Sequence, residues 1–267
     1  MTVISNLFAI DKIAVASDGY ITKEGEVLRS DVRKFVKFDQ ANCVVSFFGF
    51  AQFDTWSIDN WLNRENEYLN ENPDKHTTLE SLSKYLAKQL ESTLKNGLPL
   101  KQVLEKNIGL HVAGFEPIAN GTLTPELFLI TNYRLDGEGK YWSPEPSLSC
   151  SRRTVVDFIP PDRRADSVEE RRQYIYDTIL SKGTTIIFNN GDPVMHNIFF
   201  SGYSSAMLRA LQSDLLKPME EGDVLKRFVS WPIERVKDFQ AEFYKKEEIT
   251  VGGTVSSMIL TSQGWWY

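Results

Sequence analysis

Cysteine and histidine are scarce in this sequence, at two and three of 267 residues. Cys43 and Cys150 are too few and too far apart for a disulfide scaffold or a thiolate metal site, and both read as reduced, structural thiols. His76, His111 and His196 have no second ligand at metal spacing, so no metal is expected. Basic charge is also in deficit, 30 Lys and Arg against 36 Asp and Glu for a net charge of −6. That balance argues against a nucleic-acid partner and against an anionic membrane surface. No apolar run approaches the length of a membrane span. No basic stretch leads into an apolar run with a small-residue cleavage site, so the expectation is a cytoplasmic chain without a leader. The absence of any repeat excludes a solenoid.

What is present is an ordinary globular composition, 42% hydrophobic and 25% charged, sufficient for a sizeable core. We expect a single domain over residues 1–267, with an insertion at about 134–191. Thr2 to Ile10 and Lys12 to Asp18 are rich in strand formers and part at Asp11-Lys12, which predicts an antiparallel hairpin. "RKFVKF" (Arg33 to Phe38) alternates charged and apolar residues with period two, and "NCVVSFFGFA" (Asn42 to Ala51) follows, so a second hairpin is expected. The run Val44 to Phe48 fits a strand covered on both faces. Leu79, Leu82, Leu86, Leu90 and Leu94 lie at helical spacing behind a capping box of Thr77 and Glu80, and Asn96-Gly97 ends that helix. "IGLHVAGFE" and "ELFLITN" read as two further strands.

The segment from Arg134 to Gly191 is Pro-rich and then charged, and predicts loops with one short helix from Ser167. Its "RRADSVEERR" stretch alternates in sign and reads as a solvated or inter-subunit helix. Ser201 to Asp214 and Glu234 to Lys246 read as helices, and Thr254 to Tyr267 as a closing hairpin. The terminal "GWWY" suits an interface anchor between subunits.

Thr2 suggests a chemistry. Removal of Met1, usual before a small residue, would leave a hydroxyl and a free α-amine on one residue. An α-amine with a pKa near 8 is partly neutral at pH 7 and can take the hydroxyl proton directly or through water. A nearby cation would lower that pKa and stabilise a developing alkoxide, and Lys34 is the candidate. A buried ammonium needs an anion, and Asp18, at the end of the second strand, is the natural partner.

These residues carry a resemblance. The chain resembles the proteasome β-type family of N-terminal nucleophile hydrolases, in which an acid stands sixteen positions after the threonine and a lysine thirty-two after it. Asp18 and Lys34 occupy those positions relative to Thr2. "VASDGYIT" and "RKFVKF" are similar to the family's flanking segments, and "EITVGGTVSSMILTSQG" to its glycine turn and last hairpin. The similarity covers roughly the first 130 residues and the last 70.

The resemblance implies an α+β fold, the four-layer αββα sandwich, and amide hydrolysis through an acyl-enzyme. It assigns Thr2 as nucleophile, Lys34 as tuner of the amine and Asp18 as its orienter. It assigns the Gly49 N–H to the oxyanion, although Gly49 sits one residue later than ungapped counting predicts. Thr22 would contact substrate backbone, and Phe47 would line the specificity pocket. No cofactor is implied. The implied partners are a peptide or unfolded-protein substrate, a homo-oligomeric ring of subunits and an ATP-dependent unfoldase.

The sequence departs from the family pattern at the supporting residues. Gly202 stands at one supporting serine, Val251 at the other, and Glu248 in place of the supporting aspartate. Phe47 and Phe48 add bulk beside Gly49, which means either a narrow pocket or a blocked site. Two other readings therefore stand beside the peptidase. One is a catalytically inactive structural or assembly subunit that retains Met1. The other is a small-amide hydrolase of the same superfamily.

Overall fold

The computed structural model describes residues 3–23, 26–97, 105–135, 142–153, 159–183, 185–190 and 221–266. Among these, the chain is an α+β protein of antiparallel sheets and helices. It begins with the strands β1 (Ile4–Phe8), β2 (Lys12–Ser17), β3 (Ile21–Lys23), β4 (Glu26–Arg29), β5 (Phe35–Phe38) and β6 (Cys43–Gly49). Two short strands, β7 (Gln52–Phe53) and β8 (Trp56–Ser57), lead into the helices α1 (Ile58–Asn70) and α2 (Leu79–Gly97). Three long strands follow, β9 (Ile108–Pro117), β10 (Leu123–Leu135) and β11 (Trp142–Arg152). The rest is α3 (Val168–Thr178), β12 (Ile186–Asn190), α4 (Glu221–Phe243), β13 (Ser256–Thr261) and β14 (Gly264–Trp266).

The chain divides into two compact units, one of residues 1–34 with 177–267 and one of residues 35–176. In the first, β1 and β2 form the expected hairpin, with Ile4 opposite Ser17 and Phe8 opposite Ile13. The sheet runs β12-β1-β2-β13-β14, antiparallel throughout. Period-two alternation sends Val3, Leu7, Ala14, Ala16 and Ile259 to one face, where they meet Leu225, Phe228, Val229, Ile233 and Val236 of α4. The small Ala14 and Ala16 let the helix approach the sheet closely. Ile13, Val15, Met258 and Leu260, on the opposite face, are buried as well.

The second unit is a sheet in the order β11-β10-β9-β6-β5. Cys43 to Phe48 of β6 are all buried, the both-faces-covered strand that a run apolar at nearly every residue predicts. The five leucines of α2 are buried, and the helix packs on β9, β10 and β11.

Several expectations needed correction. The stretch read as loops before Ser167 contains β11, whose Pro144 and Pro146 suggested irregular chain. The strand is at a sheet edge, paired on one side only, where proline is tolerated on the open side. Residues 186–190, also read as loop, form β12 at the edge of the other sheet. Helix α1 went unpredicted because its buried stripe is sparse, with Ile58, Trp61, Leu62 and Leu69 among polar residues. Helix α2 is capped by Thr78, whose Oγ1 accepts the Ser81 N–H at 3.2 Å, and not by Thr77. The final helix starts well before Glu234. Arg172, expected on a solvated face, is buried and bonds Glu126 of β10, Glu169 and the Glu116 carbonyl. The helix expected over Ser201 to Asp214, with Gly202, lies outside the described residues.

Candidate active site

Asp18 follows directly on β2, the strand paired with β1, so the start of the chain and the end of β2 run side by side. Val3 and Asp18 are bonded twice. The Asp18 N–H donates to the Val3 carbonyl at 3.3 Å, and the Val3 N–H donates to Asp18 Oδ1 at 2.9 Å. The second Asp18 oxygen accepts the Tyr20 N–H at 3.2 Å. Two backbone donors therefore fix the carboxylate's orientation.

Lys34 completes the arrangement. Its Nζ lies 2.9 Å from Asp18 Oδ1, and neither side chain reaches solvent. Residues 31–34 alternate exposed, buried, exposed, buried, so the period-two pattern carries Lys34 inward. Burial holds the Lys34 ammonium below its ordinary pKa, and the charge of Asp18 pulls the other way. The ammonium and the Val3 amide share one carboxylate oxygen. That amide belongs to the peptide bond joining Thr2 to Val3, so a buried positive charge stands within two hydrogen-bond lengths of this linkage. Thr2 itself lies outside the described residues.

The other candidate residues are placed as follows. Thr22 is half-buried in β3, at an irregularity in its pairing with β4. Gly49 ends β6 in the second unit with φ +78°, and a Cβ there would lie 2.1 Å from the Asn107 carbonyl oxygen. Only glycine fits that contact. The same carbonyl accepts the Phe50 N–H at 2.6 Å. Asn132, buried in β10, holds this neighbourhood by accepting the Ile108 N–H and donating to the Lys106 carbonyl.

Phe47 is fully buried in β6 and offers no surface to a ligand. Phe48 packs over Gly109 and lies 5.2 Å from the His111 ring. Glu248 is on the surface in the turn Lys246–Glu248, and Val251 is buried, its N–H bonded to Gln240 Oε1 at 2.9 Å. Asp18 and Lys34 are thus brought together in a buried pair, and Glu248 is exposed.

Comparisons of the chain with models of known protein families and with curated proteins return no match.

Sequence reasoning missed the residues that surround Asp18. The Gly19 N–H donates to the Gly252 carbonyl at 2.8 Å, and the Gly19 carbonyl accepts the Val32 N–H at 3.0 Å. Asp31 Oδ1 accepts both the N–H and the hydroxyl of Thr254. The signal available was the Gly252-Gly253 pair. Gly253 has φ +71°, and a Cβ on Gly252 would lie 2.2 Å from the Tyr20 ring.

Proposed function

We propose that this chain is an N-terminal-threonine amide hydrolase of the proteasome β type, acting in the cytoplasm on peptides or unfolded chains once Met1 is removed. The observation that carries this reading is the solvent-free Lys34–Asp18 pair anchored to the Val3 amide, one residue from Thr2. Surface ion pairs are common and weak. A fully buried one whose carboxylate is also held by two amides is costly to build and suits a positioned charge.

The chemistry follows from those parts. The freed Thr2 amine takes the proton of its own hydroxyl, and Oγ attacks the substrate carbonyl carbon. The attack leaves a tetrahedral oxyanion, which backbone N–H donors stabilise in this chemistry. The C–N bond then breaks, the leaving amine departs with the proton, and an ester to Thr2 remains. Water, deprotonated by the same amine, hydrolyses that ester and regenerates Thr2. Lys34 keeps the amine neutral at working pH, Asp18 holds Lys34, and Thr22 contacts substrate backbone. The reading carries with it the four-layer αββα sandwich, a ring of like subunits and an ATP-dependent unfoldase as supplier of unfolded chain.

A second reading has an observation of its own. Glu248 is exposed in place of the supporting aspartate and Val251 is apolar in place of a supporting serine, which favours a catalytically silent assembly subunit of the same fold. Turnover of a fluorogenic peptide amide separates the two. The hydrolase reading expects release by the purified chain and none by Thr2→Ala. Equal release by both, or none by either, contradicts it.

A further inference from the structure

Lys34 owes its place to a segment without regular structure of its own. Residues 32–34 belong to no strand or helix, and Val32 is tied to Gly19 by one backbone bond. One residue earlier, the exposed Asp31 adopts φ +62°, a conformation uncommon for any residue but glycine, asparagine or aspartate. Its side chain reaches Thr254, 223 residues away in sequence, with Oδ1 2.6 Å from the hydroxyl oxygen and 3.1 Å from the amide nitrogen.

Thr254 is a firm post. The turn before it is bonded to α4 at two points: Gln240 Oε1 accepts the Thr250 and Val251 N–H groups, and the Lys237 ammonium donates to the Gly253 carbonyl at 2.7 Å. Gly19 sits in the middle, so close to both segments that a Cβ on it would lie 2.9 Å from the Thr254 carbonyl oxygen and 3.1 Å from the Asp31 nitrogen. Three stretches of chain, 18–20, 31–34 and 252–254, are stapled at one node. Asp18 is in the first and Lys34 in the second.

We propose that the Asp31–Thr254 clasp is the positioning device for Lys34, and that Asp31 and Thr254 set the alignment of the ammonium on Asp18 without touching substrate. The inference rests on the hydrolase reading for its catalytic consequence alone. The clasp joins the Lys34 segment to a turn braced by α4, and it acts beside the Val32–Gly19 bond and the ion pair. Displacements of about 1 Å in such a group can cost on the order of 100-fold in rate.

The test uses the full chain with two lesions. Asp31→Gly removes the acceptor while suiting the positive φ, and Thr254→Val removes the hydroxyl while keeping the amide. Thr254→Ser keeps both donors. Two quantities are read: the rate at which a peptide epoxyketone modifies Thr2, and the 15N resonance of the Lys34 ammonium, assigned by its loss in Lys34→Met. The clasp predicts that both lesions slow modification by about 10- to 100-fold and displace the resonance, and that Thr254→Ser restores both. Lesions that lower thermal stability but leave rate and resonance at their wild-type values overturn it. If wild type takes no adduct, the hydrolase reading fails, and the resonance decides the clasp by itself: displaced it stands, unmoved it falls. If Asp31→Gly does not fold, Thr254→Val gives the same answer.

Discussion

Lys34 and Asp18 meet at 2.9 Å with both side chains cut off from solvent, and the carboxylate oxygen that takes the ammonium also takes the Val3 N–H. A buried pair of this kind is sensitive to loss of one member, because the survivor keeps its desolvation cost without compensation. Asp18→Asn is expected to destabilise the chain by about 3–5 kcal/mol. Lys34→Met costs less, since two backbone amides still hold Asp18. The double variant recovers part of the loss, because no lone ammonium remains buried. Urea unfolding of the three variants checks the order.

His111 supplies a pH dependence. It is buried in β9 opposite Ser46, and burial, with Arg153 adding to it, pushes its pKa down to about 4. The unfolded chain, with an ordinary value near 6.5, takes the proton first as pH falls. Stability from this site is therefore complete above pH 6.5 and is lost progressively toward pH 4, by about 3 kcal/mol in all. His111→Phe should flatten that part of the stability profile, followed by denaturant midpoints across the range.

Gly49 is held at φ +78° against the Asn107 carbonyl. Gly49→Ala combines a left-handed residue with a backbone clash and is expected to cost about 3 kcal/mol or more. Gly121, with φ +82° and open space around it, serves as control: alanine there should cost about 1–2 kcal/mol, for conformation alone. Melting curves of the two variants give the comparison.

Arg172 bonds Glu126 in the interior, and Arg152 bridges Glu80 and Glu116 nearby. Arg172→Met removes the nearer partner of the buried Glu126 carboxylate, leaving it Arg152 at 3.4 Å, and is expected to destabilise by about 3 kcal/mol. Adding Glu126→Gln should return much of that loss. Two equally unstable variants would remove the assigned pairing.

The elements legible in the sequence are those whose signal is local. The β1–β2 hairpin shows as strand-forming runs, α2 as a leucine stripe, and β6 as a run apolar at nearly every residue. The inward turn of Lys34 follows from alternation, because the burial of Val32 places Lys34 on the same side. Where the deciding partner is remote, the sequence misleads. Pro144 and Pro146 read as loop, since only the sheet order shows that β11 is an edge. Arg172 reads as solvated, since its acceptors on β9 and β10 lie 56 and 46 residues away. Asp31 carries no signal at all, because its partner is at the other end of the chain. Thr78 took the cap from Thr77 because the Glu80 N–H goes to the Glu116 carboxylate, at 2.8 Å, and not to a local partner.

Thr2, freed of Met1, is proposed as a nucleophile tuned by Lys34. Its most direct test is the intact mass of the purified chain before and after incubation with a peptide epoxyketone, a reagent that consumes both the hydroxyl and the amine of an N-terminal threonine. The account predicts a chain lighter by one methionine that gains a single adduct, and no adduct on Lys34→Met. A chain that keeps Met1 and gains nothing contradicts it.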